Sequence, residues 1–285
     1  FSSIRATSPV PADAANRSVI TIALRDRFNN PVTGASPRFD ALGSGNNFLQ
    51  PGMTDGDGLA EGALMSTRAE IKRVWVSAPS GLETVATVVQ FEAGHPSSLW
   101  STITATDQIP ADGTTQSVVT ITIRDDYGNP ITGVLPEIGV SDGNVTQPGM
   151  PTNEDGVTTA AITSRTPGLK SIGVMDPTSL ASLRTTTTFV AGSLASLVIT
   201  PDNPVVQAAG LVQFTALGTD TFGNRVEVTP TWSVVGGGGT ITTGGLFMAG
   251  DAIGPFADTV QAKVDSFTAE SSVQVTYNSP VIASV

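Results

Sequence analysis

The chain predicts an all-β protein laid down three times over, and three observations carry that prediction. The first is a repeated passage. Arg25-Asp26-Arg27-Phe28-Asn29-Asn30-Pro31-Val32-Thr33-Gly34 returns 99 positions later as Arg124-Asp125-Asp126-Tyr127-Gly128-Asn129-Pro130-Ile131-Thr132-Gly133. A looser copy is Thr219-Asp220-Thr221-Phe222-Gly223-Asn224-Arg225-Val226. The second is the run ahead of the passage, Val19-Ile20-Thr21-Ile22-Ala23-Leu24 or Ser117-Val118-Val119-Thr120-Ile121-Thr122-Ile123, whose alternation buries one face of a strand and wets the other. The third is composition. With 30 Gly, 19 Pro and 14% charged residues, and no 3.6-residue periodicity, the chain has the turns and strands of a β protein.

The passage itself reads as a tight turn. A charged Asp and an aromatic residue close the strand, and a Gly-Asn or Asn-Asn pair supplies the positive φ that the turn needs. Pro31 and Pro130 then push the next segment to a sheet edge or out of the ladder.

In the first repeat a short strand at Ser2-Ser3-Ile4-Arg5-Ala6-Thr7 leads to Pro11-Ala12-Asp13. The second strand, residues 18–26, is expected to turn Ile20, Ile22 and Leu24 inward. Further strands are expected at 38–42, near Phe48, and at 59–66, 72–78 and 84–92, with a turn at Thr54-Asp55-Gly56-Asp57-Gly58. Seven strands with a turn every dozen residues suit an immunoglobulin-like sandwich. The second repeat keeps step: Gln147-Pro148-Gly149-Met150 returns Gln50-Pro51-Gly52-Met53, and Phe189-Val190-Ala191-Gly192 returns Phe91-Glu92-Ala93-Gly94.

The third repeat diverges. Val212, Phe214 and Ala216 should face inward, and Trp232 falls where a sandwich often buries an aromatic. Gly236-Gly237-Gly238-Gly239 reads as a flexible loop, residues 240–247 as a hairpin, and 259–264 and 268–277 as the last strands. Domains are therefore expected at 1–93, 94–192 and 193–278, with 279–285 a tail or the first strand of a further domain. No signal-peptide pattern stands at the start, and Phe1 occupies the frame of Trp100, so both ends are expected to run on into neighbours. Trp100 and Phe1 have either a core role or a place against a preceding domain. The linkers are short, so the expected shape is an elongated rod.

Composition also excludes. A formal charge of −11 disfavours nucleic acid and anionic membrane, and no apolar run is long enough to span a bilayer. Without cysteine there are no disulfides and no thiol chemistry. The single histidine, His95, lies in a linker with no paired acid in its sequence neighbourhood, and no nucleophile-elbow, zincin or phosphate-loop pattern occurs. Adjacent Asp125 and Asp126 project to opposite sides, a poor arrangement for an acid–base pair. No enzymatic activity is expected.

Asp55, Asp57, Asn153 and Asp155 are the candidate calcium ligands, because they set side-chain oxygens two apart in glycine-bearing loops. The distal bidentate Glu of an EF-hand is missing, and an Asx turn explains the same residues. Asp107 and Asp112 are weaker candidates near the junctions. Lys72 and Lys170, at equivalent positions, are candidates for an intramolecular isopeptide bond, although their places at strand starts suggest solvated cations.

Pro110-Ala111-Asp112-Gly113-Thr114, the alternating strand, Asp125-Asp126-Tyr127-Gly128-Asn129-Pro130-Ile131, Glu154-Asp155-Gly156-Val157 and Thr163-Ser164 together resemble invasin/intimin-type bacterial Ig-like domains. The first repeat departs at Ala14 and Asn29, where glycine is expected. The third is more similar to a second bacterial Ig-like group, through Gln213-Phe214-Thr215-Ala216, residues 220–224, Trp232-Ser233 and Gly245-Leu246-Phe247. The resemblance implies an extracellular, bacterial cell-surface stalk or adhesive segment. Its expected partners are neighbouring Ig-like domains of the same or adjacent chains, and a cell-surface protein or glycan. The alternatives are a subunit of a self-assembling filament, or carbohydrate-binding or spacer modules of a secreted enzyme.

Overall fold

The computed structural model describes residues 1–175 and 180–277, which hold strands and turns and no helix. The tail expected at 279–285 lies outside the described residues. The first repeat forms eight strand segments: β1 (Ser3–Ala6), β2 (Val10–Pro11), β3 (Ser18–Ala23), β4 (Arg38–Ala41), β5 (Asn46–Leu49), β6 (Leu59–Ser66), β7 (Ile71–Ala78) and β8 (Ala86–Glu92). They make two sheets, ordered β1-β3-β6-β5 and β2-β8-β7-β4. Seven expected strands become eight because the first is split. β1 pairs antiparallel with β3, and the chain then crosses so that β2 pairs parallel with β8.

The second repeat copies this plan with β9 (Thr102–Ala105), β10 (Ile109–Pro110), β11 (Ser117–Thr122), β12 (Ile138–Val140), β13 (Asn144–Thr146), β14 (Val157–Thr163), β15 (Gly168–Val174) and β16 (Arg184–Val190). Its sheets are β9-β11-β14-β13 and β10-β16-β15-β12. Side chains set the edges of both sandwiches. The amide of Gln50 bonds both backbone groups of Phe39, and Gln147 does the same for Ile138, so a side chain stands in for a neighbouring strand. Gly58 and Gly156 hold positive φ, and a Cβ there would stand 2.6 and 2.4 Å from the carbonyl oxygens of Leu24 and Ile123. No other residue fits so close to a neighbouring backbone.

The third repeat has ten segments: β17 (Ser196–Thr200), β18 (Val205–Gln207), β19 (Leu211–Gln213), β20 (Thr215–Thr219), β21 (Arg225–Val226), β22 (Thr231–Val234), β23 (Gly239–Ile241), β24 (Leu246–Ala249), β25 (Gly254–Val264) and β26 (Phe267–Thr276). Its main sheet runs β18-β26-β25-β22, faced by β17-β20-β21 and β19-β24-β23. The expected hairpin is present as β23 and β24. The glycine run is not a loose loop. Gly238 sits against the ring of Phe256, where a Cβ would come within 2.6 Å, and Thr259 Oγ1 donates to the Gly237 carbonyl. These glycines let backbone and an aromatic ring touch, which a local reading of four glycines does not show.

Each sandwich has its own core. Ile20, Ile22 and Leu24 pack with Phe39, Leu64, Val89 and Phe91 in the first, and Ile121, Ile123, Ile138, Ile162 and Phe189 in the second. Phe214 anchors the third, 6.1 Å from Phe247 and 6.4 Å from the partly buried Trp232. The inward faces expected at Ile20, Ile22, Leu24 and Phe214 are the buried ones. Trp100 and Phe1 are not core residues. Both are exposed, with Trp100 lying along Gly128 of its own turn.

Lys72 and Lys170 overturn the expectation of solvated cations. Their relative exposures are 0% and 5%. The Lys72 ammonium donates to Glu70 at 2.5 Å and to the Ser44 carbonyl at 2.8 Å. Lys170 pairs with Asp142 and donates to Thr166 Oγ1. The anion thus comes from a different segment in each sandwich. Glu70 lies just before β7, and Gly168 is its counterpart 98 positions on. In the second sandwich the loop after β12 supplies Asp142 instead. A charge at the inner end of a long side chain must be paired when it leaves water, and two different neighbours meet that need.

Candidate interaction site at the joints between sandwiches

The repeated passage closes a turn and also joins one sandwich to the next. In the second sandwich Asp125 Oδ1 accepts the N–H groups of Tyr127 and Asn129, each at 2.9 Å, and Oδ2 accepts Asn129 Nδ2 at 2.8 Å. An aspartate two and four residues ahead of its donors satisfies the orphan amides of a tight turn. Oδ2 has a second donor, the Gly94 N–H of the linker at 2.9 Å. One carboxylate therefore holds both the turn and the chain entering the domain.

Asn129 reaches outward. Its Oδ1 accepts the N–H of Ala69 at 3.0 Å, and its Nδ2 donates to the Thr67 carbonyl at 3.0 Å. Both partners belong to the turn between β6 and β7 of the first sandwich. Tyr127 OH donates to the carbonyl of Asp13, in the Pro-Ala-Asp loop. Asp125 and Asn129 are each only 2% exposed.

The second joint repeats the device with fewer bonds. Asp220 accepts Phe222 N, Asn224 N and Asn224 Nδ2 within its turn, and Gly192 N of the linker at 2.8 Å. Asn224 Nδ2 donates to the Ala111 carbonyl at 3.0 Å, again in a Pro-Ala-Asp loop. Burial works to raise the Asp220 pKa, but the N–H donors of Gly192, Asn224 and Phe222 outweigh it and hold the value at about 2. The Pro-Ala-Asp loop at the far end of one sandwich and the Asp-to-Asn turn at the near end of the next are thus mates across the joint.

Pro-Ala-Asp loops are braced internally. Asp13 accepts the backbone N–H groups of Asn16 and Ala15 and the Asn16 amide, and these bonds hold its carboxyl below the usual range. Asp112 does the same with Thr115 and Thr114, and it too is lowered. A cleft of about 500 Å³ beside the first joint is lined by Asp13, Asn16, His95, Asp125, Asp126 and Tyr127. Folding brings acids near His95 that the linear sequence keeps apart. The Asp13 and Asp125 carboxylates are nevertheless taken up by backbone and amide donors, and neither is bonded to the imidazole.

Asp55 and Asn153 occupy a second turn of the same kind, whose Gly58 and Gly156 pack beside Pro31 and Pro130 of the Asp-to-Asn turns. Asp55 Oδ1 accepts Asp57 N and Leu59 N, and Asn153 Oδ1 accepts Asp155 N and Val157 N. Asp57 and Asp155 are exposed. Asp107 accepts the N–H of Thr188 within its own sandwich. Among the described residues no three His, Cys, Asp or Glu side chains are grouped so as to hold a metal ion. The sequence reading missed the joint because the turn explained its residues locally. One signal was in plain view: all three copies keep Asp and Asn four apart, at Asp26 and Asn30, Asp125 and Asn129, and Asp220 and Asn224.

Residues 97–192 match the family model for invasin, domain 3. The second sandwich is therefore similar to that invasin domain. The resemblance drawn from the motifs between Pro110 and Ser164 therefore holds where those motifs are most complete. Solved structures extend the invasin-type fold to the rest of the chain. The Escherichia coli adhesin FdeC aligns with a TM-score of 0.61 at 20% identity, over 96% of each chain. Yersinia pseudotuberculosis InvD aligns with a TM-score of 0.59 at 20% identity, over 95% of this chain and 84% of its own. Invasin, described as a bacterial integrin-binding protein, aligns with a TM-score of 0.57 at 20% identity, over 96% of this chain and 59% of its own. The chain thus spans about three-fifths of the solved invasin. No curated protein matches the chain.

Proposed function

We propose that the chain is a non-catalytic stalk segment of an extracellular bacterial surface adhesin, made of Ig-like domains at 1–93, 94–192 and 193–278. Its role is mechanical: sandwiches fixed end to end hold a binding function away from the cell. The observation that carries this reading is the double use of Asp125 and Asn129. Together they tie the linker, the near turn of one sandwich and one far turn of the sandwich before it. A hydrogen-bonded joint behind a short linker restricts bending, so sandwiches in series act as a rod. The invasin-type second domain and the likeness of fold to the adhesin FdeC support the surface role. No helix among the described residues is long and apolar enough to cross a membrane.

Small-angle X-ray scattering of the whole chain tests the proposal. A single extended conformation is expected, and Asn129→Ala should broaden it into a bent ensemble. A compact particle, or a flexible string in the unsubstituted chain, would overturn the stalk. Ordered polymers under the electron microscope would favour a filament subunit instead.

A further inference from the structure

We propose that the two joints are unequal and that bending of the stalk is concentrated at the second. The first and second sandwiches move as one body, and the third pivots about Gly192. The inference rests on the stalk reading and adds to it the place where the rod yields.

The first joint is locked from several directions. Asn129 gives its oxygen to Ala69 N and an amide hydrogen to Thr67 O, and Tyr127 OH donates to Asp13 O at 3.1 Å. The linker beside it is pinned as well. Ser97 is buried, its N–H reaches the Arg124 carbonyl at 2.8 Å, and Trp100 folds back along Gly128.

One residue denies the second joint the same lock. The counterpart of Ala69, 98 positions on, is Pro167. The two turns are otherwise closed alike: Ser66 and Ser164 each accept the N–H, and bond the carbonyl, of the residue two ahead. Proline has no N–H, so no donor stands where the asparagine oxygen of the following sandwich would need one. Asn224 bonds instead to Ala111 O, and among the described residues its Oδ1 takes no partner.

The other ties are thinner too. Phe222 stands at the place of Tyr127 and has no hydroxyl to donate. Gly223, at the place of Gly128, has no side chain folded back over it. Asn224 is half-buried where Asn129 is buried, so water competes for its one bond across the joint. What remains is the Asp220 carboxylate on Gly192 N, which holds the linker at a single point and makes that point the pivot.

The chain has no cysteine, so paired cysteine substitutions carry spin labels without a background. Val88→Cys with Thr186→Cys spans the first joint, and Thr186→Cys with Lys263→Cys spans the second; all three sites are exposed. Pulsed electron–electron double resonance on the full chain should give one narrow distance for the first pair and a distribution about twofold wider for the second. Ala69→Pro copies the turn of the second sandwich into the first and removes the donor to Asn129. It should widen the first distribution toward the second, and Asn129→Ala should do the same, with circular dichroism checking that each variant stays folded. Equally narrow distributions at both joints, or a first distribution that neither variant moves, would overturn the proposal while the stalk stands. Broad distributions at both joints would overturn the stalk reading and the unequal joints with it.

Discussion

Asn129 lies in the second sandwich, yet its side-chain oxygen caps the backbone N–H of Ala69 in the first, 60 residues earlier, at 3.0 Å. Asp125 holds the same side chain from behind through Nδ2, so the amide arrives at the joint already oriented. Preorganisation of this kind lowers the entropy lost when two domains lock.

Asn129→Ala should therefore uncouple the first joint. It removes two cross-domain hydrogen bonds, worth about 1 kcal/mol each, so coupling should drop by about 2 kcal/mol. Asn224→Ala removes one and should cost about half as much. Chemical denaturation checks both, with the first and second sandwiches separating into distinct transitions in Asn129→Ala.

Acid should loosen the second joint. The folded pKa of Asp220, about 2, lies below the ordinary aspartate value of 3.8. The carboxylate's contribution is therefore complete above pH 3.8 and is lost as pH falls toward 2. Asp220→Asn should flatten that part of the stability profile, as thermal melts between about pH 5 and pH 2 would show. An unchanged profile in the variant would remove Asp220 as the cause.

Ala14 holds φ at +62° where the second repeat has Gly113 at +77°. A left-handed conformation costs a residue with a Cβ about 1 kcal/mol. Ala14→Gly should thus stabilise the first sandwich by up to about 1 kcal/mol, offset in part by the greater freedom of glycine when unfolded. A destabilised variant, measured by urea unfolding, would contradict the strain.

Lys72→Met should destabilise the first sandwich by about 2 kcal/mol, because Ser44 O and Glu70 lose a buried donor. The loss stays below the roughly 3–5 kcal/mol of a fully buried pair because Glu70 can rehydrate. Glu70 is held below the usual carboxylate range first by its hydrogen bond from Lys72, so Lys72→Met should raise its pKa. An intact mass equal to that of the plain sequence is expected, since the ammonium–carboxylate contacts are ion pairs; a mass lower by one water per bond would show an isopeptide link instead.

The sequence by itself determined the three copies, the all-β class and the inward faces. Alternation places Ile20, Ile22 and Leu24 on one side whatever lies beyond the strand. It also located the turns, because positive φ demands particular residues; Gly128 at +78° and Asn29 at +70° fill equivalent places. The Asp-to-Asn spacing was legible, since its bonds span only two to four residues. Tertiary structure alone decided what Asn129 touches, that Lys72 is buried, and that the glycines near Phe256 are packed. Residue order encodes which face a side chain takes within its own sheet. The loop of another domain, or a carboxylate that moves from Glu70 in one copy to Asp142 in the next, is set by how separate segments meet in space.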